Sequence, residues 1–336
     1  LYTDKNHNYY SQNPNWYFSD DSLLNDLPIR QFVHSNSDMI EQLSSDLSFI
    51  INEYQFDGFS VDDSPGINKL IKEIEDIQLN NNKSIFKIIK SNQIQSSSIS
   101  FHDRKSRTYY NVDLYDLARE HFSGININFI TLNNLIEKKL DIYQPINLMI
   151  NSTSIKEHKR FITLSEEHNF SNSGLAPNKF SYDRLFMFML MNYCLPGIPF
   201  IFYGEEFGHQ GYEGYDSKRD MRFNKSLNNF ESNLRDRVSI LNNIRQRYSS
   251  LSIGDLMILR EDIDYSVWLK SYYNEQILVL FNLSDEDKVI NIPLPYYTKE
   301  LTSLLDQNHI KMDGSNILRI ILPANTSRLY LLDIIK

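Results

Sequence analysis

A single cysteine, Cys194, is present, so the chain can form no internal disulfide and no multi-cysteine metal site. It lies in Met191-Asn192-Tyr193-Cys194-Leu195-Pro196, the setting of a buried thiol. Histidine offers no substitute: no His-x-x-x-His pattern occurs, His158 and His209 lack metal-ligand spacing, and no metal or other cofactor is expected. No apolar stretch reaches membrane-spanning length. Positive charge is also short. The formal net charge is -9 and no basic run interleaves with aromatics, which argues against a nucleic-acid surface. No signal-peptide pattern opens the chain, and Leu1 rather than Met stands first, so the native start is expected further upstream.

What is present is an ordinary globular composition, 41% hydrophobic and 23% charged over 336 residues, enough for one large domain with a smaller appendage. Tyr and Phe number 21 and 20. Aromatic rings in that abundance serve either as core or as stacking walls for sugars, and composition alone leaves both open.

Residues 1–28, rich in Asn, Tyr, Ser and Asp, read as an irregular loop. From Ser37, the spacing of Ile40, Leu43, Leu47, Ile50 and Ile51 predicts an amphipathic helix ending near Tyr54. The stretch Phe56-Asp57-Gly58-Phe59-Ser60-Val61-Asp62-Asp63 follows as a short apolar strand that ends in carboxylates. Alternation continues with a helix over 65–77, a strand over 84–89, a strand edge and helix start over 109–115, a helix around 132–140, a strand at 148–150, a helix over 180–194 and a strand over 199–203. Helices alternating with short buried strands predict parallel pairing, with a TIM-type barrel as the favoured closure. Beyond a helix carrying Leu234, Val238, Leu241 and Ile244, the period changes to strands at 257–259, 265–269, 277–282, 289–292 and 327–331. Residues 1–250 therefore read as a barrel-type domain and 251–336 as an antiparallel β-domain.

Four stretches carry a family resemblance. Gly58-Phe59-Ser60-Val61-Asp62 resembles the Gly-Phe-Arg-x-Asp signature of the alpha-amylase family, glycoside hydrolase family thirteen. Leu195-Pro196-Gly197-Ile198-Pro199-Phe200-Ile201-Phe202-Tyr203-Gly204-Glu205-Glu206-Phe207-Gly208 is similar to the segment that leads into and out of that family's last barrel strand. Asp220-Met221-Arg222-Phe223 resembles the segment that follows it, and 109–117 the sixth strand with its helix. The resemblance implies a (β/α)8 barrel followed by a C-terminal β-sandwich. It also implies that the chain opens between the family's third and fourth barrel strands. Five parallel strands do not close such a barrel, so either this is a fragment or something else supplies the first three.

By the same resemblance, Asp62 takes the position of the family's nucleophile. Ser60 stands where an Arg holds that nucleophile ionised, and a hydroxyl supplies neither charge nor a guanidinium fork. Retaining hydrolysis also needs a protonated acid. The strand over 84–89 is followed by Lys90-Ser91-Asn92-Gln93, with no carboxylate, and Lys90 is the only substitute acid at hand. In place of the family's Asn-His-Asp after strand seven stand Asn151-Ser152-Thr153, where only the Asn remains. Glu205 and Glu206 occupy a pair that is architectural in the family, and Asp63, His102, Asp103, His209 and Asp216 are the residues from which a different site would be assembled.

The expectation is an alpha-amylase-family homologue in carbohydrate metabolism with an idle catalytic site, acting in glycan binding or as a scaffold or partner subunit. An α-glucan or oligosaccharide is the implied ligand, and a protein partner is left open. The alternative is an active retaining hydrolase or transglycosylase of α-linked glucosides, with Asp62 as nucleophile and a displaced general acid.

Overall fold

The computed structural model describes residues 2–4, 8–17, 29–31, 36–56, 58–62, 70, 72, 86–90, 108–140, 149–155, 158–173, 179–223 and 226–335. It divides into two compact units, Leu1–Tyr110 and Asn111–Lys336.

In the first unit, strand β1 (Tyr2–Asp4) pairs antiparallel with β2 (Ile29–Gln31), and helix α1 (Asn8–Gln12) lies between them in sequence. The opening stretch therefore contains regular structure where an irregular loop is expected, because short strands of mixed polarity leave no period to read. Helix α2 (Ser37–Tyr54) matches its predicted bounds. The Asn36 side chain caps it by accepting the Met39 N–H at 3.0 Å, and Met39, Ile40 and Ile51 bury one face. Gln55, in the left-handed region at φ 54°, ends the helix and turns the chain toward β3 (Gly58–Asp62). Strand β3 runs parallel to β4 (Phe86–Lys90), which runs parallel to β5 (Thr108–Tyr110). Most of the predicted 65–77 helix lies outside the described residues.

The second unit opens with helices α3 (Val112–Ser123) and α4 (Phe129–Leu140), then strand β6 (Met149–Ser152), α5 (Phe161–Ser173) and α6 (Lys179–Cys194). Strand β7 (Ile198–Phe200) runs parallel to β6, and α7 (Asn229–Arg247) carries a complete capping box between Asn228 and Glu231. Helix α6 is buried almost all round, with Phe186, Met187, Phe188, Met189, Leu190 and Met191 fully enclosed. It has no polar face because neighbours cover every side.

After the short helix α8 (Ser249–Ile253) come eight strands: β8 (Asp255–Glu261), β9 (Tyr265–Tyr272), β10 (Glu275–Asn282), β11 (Lys288–Pro293), β12 (Thr298–Ser303), β13 (His309–Lys311), β14 (Ile317–Leu322) and β15 (Thr326–Ile334). Six form an antiparallel sheet in the order β13-β12-β15-β10-β9-β8, and β11 pairs with β14 in a second sheet. Strands β9 and β10 are buried on both faces. Val267, Leu269, Leu278 and Leu280 meet Ile290, Ile292, Leu318 and Leu322 of the small sheet. Trp268, Ile277, Val279 and Phe281 instead join the helical core with Phe122, Phe129 and Phe188. Elements change type near residue 250, yet the core passes through that point without a break.

Candidate functional site

In the first unit, Asp62 ends β3 and Ser60 lies two residues before it on the same strand. The parallel register sets Ser60 opposite Ile88 and Asp62 opposite Lys90, the last residue of β4. Asp62 and Lys90 thus occur at matching strand ends. Asp63, Ser91, Asn92, His102 and Asp103 lie outside the described residues.

In the second unit, Asn151, Ser152 and Thr153 follow from β6 and are all buried. Asn151 donates to the Pro196 carbonyl at 2.9 Å and accepts from the Asn111 side chain at 3.3 Å, so it ties β6 to the approach of β7 and to the start of α3. The Ser152 hydroxyl donates to the Ser154 carbonyl and accepts the Ser154 N–H, closing a tight local turn. Thr153 donates its hydroxyl to Oε2 of Glu205, which is itself only 1% exposed. The residue that follows β6 is therefore engaged in an internal hydrogen bond.

Glu205 reaches that bond because Gly204 turns the chain sharply after β7. Gly204 has φ 83°, and a Cβ there would lie 2.8 Å from the His209 Cβ. The turn buries the Glu205 carboxyl, and burial raises its pKa; hydrogen bonds from Ser154 and Thr153 and the charge of Arg160 oppose the rise. Glu206 next to it is half-buried.

Arg160 is the residue that sequence reading missed. Its buried guanidinium donates to the Ser217 carbonyl at 2.9 Å and to the Tyr203 carbonyl at 3.0 Å, and lies 4.3 Å from the Phe202 ring centroid and 4.7 Å from that of Tyr203. Burial lowers its pKa, and the negative charge of Glu205 works against that. Only its place just before an apolar helix start, Lys159-Arg160-Phe161, hinted at such a role.

Three buried polar atoms here lack a hydrogen-bond partner among the described residues: Oε1 of Glu205, Nη2 of Arg160 and Nε2 of His209. Burial, followed by the charge of Arg160, lowers the His209 pKa and favours the neutral ring. Asp216 is committed elsewhere, accepting two bonds of 2.7 Å from Arg219 and one of 2.6 Å from the Tyr212 N–H. Arg222 pairs with Glu231 at the capping box of α7 and lies over the Phe207 ring. The His158 ring contacts the Tyr115 hydroxyl at 3.3 Å. Cys194 is a buried free thiol whose pKa burial pushes up to about 12, so it is no nucleophile.

Among the described residues no group of three or more His, Cys, Asp or Glu is placed to hold a metal ion, and no helix is long and apolar enough to cross a membrane. The arrangement in the second unit is a packed polar layer that shapes strand ends and a loop.

No protein-family profile matches the chain. A cyclomaltodextrinase of Geobacillus thermopakistaniensis strain MAS1 is 31% identical over 123 residues, covering 36% of this chain and 20% of that protein. The match thus spans about one fifth of the relative's length. Among solved structures, an Anoxybacillus alpha-amylase superposes with a TM-score of 0.82 at 20% identity, covering 100% of this chain and 74% of that one. The alpha-amylase of Geobacillus thermoleovorans, complexed with acarbose, gives 0.79 at 18% identity, covering 98% and 75%. The chain has the alpha-amylase fold throughout, as part of a (β/α)8 barrel with a C-terminal antiparallel β-domain, and the resemblance read in its sequence stands.

Proposed function

We propose that this chain is a carbohydrate-binding homologue of the alpha-amylase-type glycosidases that has lost their hydrolytic chemistry, with residues 1–250 as the barrel portion and 251–336 as the β-domain. The observation that carries the reading is the bond from Thr153 to Glu205. A strand end that would aim a carboxylate at a sugar instead turns a hydroxyl inward, onto a carboxyl group with no exposed face. Ser60 in place of a cation beside Asp62 supports the same reading, because a carboxylate without a guanidinium partner is less firmly oriented. Loss of a general acid typically costs ~10²- to 10⁴-fold in rate.

The ligand follows from the fold relatives: one solved neighbour holds acarbose, and an α-linked oligosaccharide is the corresponding ligand for this chain. Asp62 is read as an idle nucleophile position, and Ser152 and Thr153 as structural replacements. The test is incubation of the full-length protein with maltoheptaose, with calorimetry for binding and chromatography for products. Saturable binding with the heptasaccharide recovered intact supports the reading. Absence of binding, or accumulation of shorter sugars, contradicts it.

A further inference from the structure

Strands β11 and β14 bury one face and expose the other. Ile290, Ile292, Leu318, Ile320 and Leu322 turn inward, whereas Val289, Asn291 and Pro293 of β11 and Ile317, Arg319 and Ile321 of β14 face outward. The antiparallel register sets Val289 opposite Ile321, Asn291 opposite Arg319 and Pro293 opposite Ile317. The outward face thus carries an apolar cross-strand pair at each end and one polar pair between them. Val289 is 58% exposed, Ile317 55% and Ile321 63%. Single apolar residues on a surface are ordinary, but a sheet face built mostly from them marks an interaction site.

The order apolar, polar, apolar reads the same from both ends, and this decides what fits. Arg319 is the only charged residue on the face, and none of the ion pairs among the described residues engages it. A purely apolar surface laid over the ribbon would bury that guanidinium without an acceptor, which offsets the gain from the apolar pairs. A second copy turned about an axis parallel to the strands avoids this cost. The rotation sets β11 of one copy over β14 of the other, so Val289 meets the partner's Ile321 and Pro293 meets the partner's Ile317. Arg319 then meets the partner's Asn291, whose side-chain carbonyl is an acceptor, and the same contacts recur in the reverse direction. Rotation about the other axis within the face, across the strands, would stack the two arginines on each other. The outward face holds no aromatic ring on which a sugar would stack.

We propose that the outward face of β11 and β14 is a homodimer interface, formed by two copies of this chain related by a two-fold axis along the strands. The ribbon is small beside the ~20–30 residues a side of a standard interface, so the dimer is weak and concentration-dependent. The experiment is sedimentation velocity of the full-length protein at rising concentration up to about 1 mM, a range that reaches millimolar dissociation constants. It compares wild type, Ile321→Lys, Asn291→Lys, the double variant Asn291→Lys/Arg319→Glu and, as a control, Tyr273→Ala, whose ring is 86% exposed elsewhere in the β-domain. Wild type is expected to pass from monomer to dimer, and Ile321→Lys to raise the dissociation constant about tenfold or more. Asn291→Lys should weaken the dimer by setting its ammonium over the partner's Arg319, and adding Arg319→Glu should restore it, more so at low salt. Tyr273→Ala should leave association unchanged. Melting temperatures taken at the lowest concentration should agree among wild type, Ile321→Lys and Tyr273→Ala, because these positions lie outside the core. A wild type that stays monomeric throughout would overturn the proposal and leave the face to a different protein. A dimer that Ile321→Lys does not weaken would place the interface elsewhere, and failure of Arg319→Glu to rescue Asn291→Lys would refute the two-fold along the strands.

Discussion

His121 shows how far burial can set one residue's behaviour. It lies on α3 between the rings of Phe122 and Phe129, at 4.9 and 4.2 Å, and its Nδ1 accepts the Asn128 N–H at 2.8 Å. Burial, reinforced by the positive charge of Arg184, lowers its pKa to about 3 from an ordinary 6.5. The native state therefore binds fewer protons than the unfolded chain. The neutral ring's contribution is fully present above pH 6.5 and is lost as pH falls from there toward about 3, at no more than about 1.4 kcal/mol for each pH unit. Denaturant titrations between pH 7 and pH 4 should show this slope in the wild-type protein and a shallower one in His121→Asn, which keeps an acceptor but does not titrate. Equal slopes would exclude His121 as the source. Nothing in the sequence singled out this residue, because a lone histidine in an amphipathic pattern reads as polar surface.

At the scale of elements, the Pro196-Gly197 segment before β7 shows what the sequence motif is for. Arg245 on α7 directs its guanidinium at the carbonyls of Tyr193, Leu195, Leu251 and Gly197, with the last two at 3.0 and 2.8 Å. Those of Tyr193, Leu195 and Gly197 lie at the end of α6 and in the turn that follows, and that of Leu251 lies in α8, so one guanidinium ties the two helices together. A lysine offers three donors from one point and cannot span four acceptors arranged around a fork. Arg245→Lys is expected to destabilise the fold by about 1–3 kcal/mol, read as a lower denaturant midpoint with an unchanged slope. The long helices and β9, β10 and β15 were legible because their apolar residues recur at clear intervals. Strand β14 was not, since Ile317 and Ile321 are exposed while Leu318, Ile320 and Leu322 are buried, and apolar residues on both faces erase the alternation. Helix α5 was hidden by a second half rich in Ser, Asn and His. In the candidate site, the motif identified Ser152, Thr153 and Glu205, but Thr153 donating to Glu205 and the reach of Arg160 to Ser217 join residues more than fifty positions apart, which no local pattern encodes.

For the whole molecule, the decisive feature is a core that ignores the change of element type at residue 250. Trp268, Phe281 and Leu329 of the β-domain share one apolar cluster with Phe122, Phe129, Phe188 and Leu234 of the helices. The Trp268 indole N–H also donates to Asn133 at 3.1 Å, and Arg184 reaches Asn325 at 2.8 Å. Cutting the chain after Ser250 should therefore leave two pieces with exposed apolar faces. Each expressed alone is expected to lack near-ultraviolet circular dichroism and to bind a hydrophobic dye, and a cooperative melting transition in either piece would contradict this continuity.

We propose that the alpha-amylase fold persists here without hydrolysis. It is tested most directly by the initial rate of reducing-end release from soluble starch, measured for the full-length protein beside Asp62→Asn. Both rates are expected to be equal and at background. A wild-type rate well above background that Asp62→Asn abolishes would contradict it, and would show that Asp62 still acts as a nucleophile.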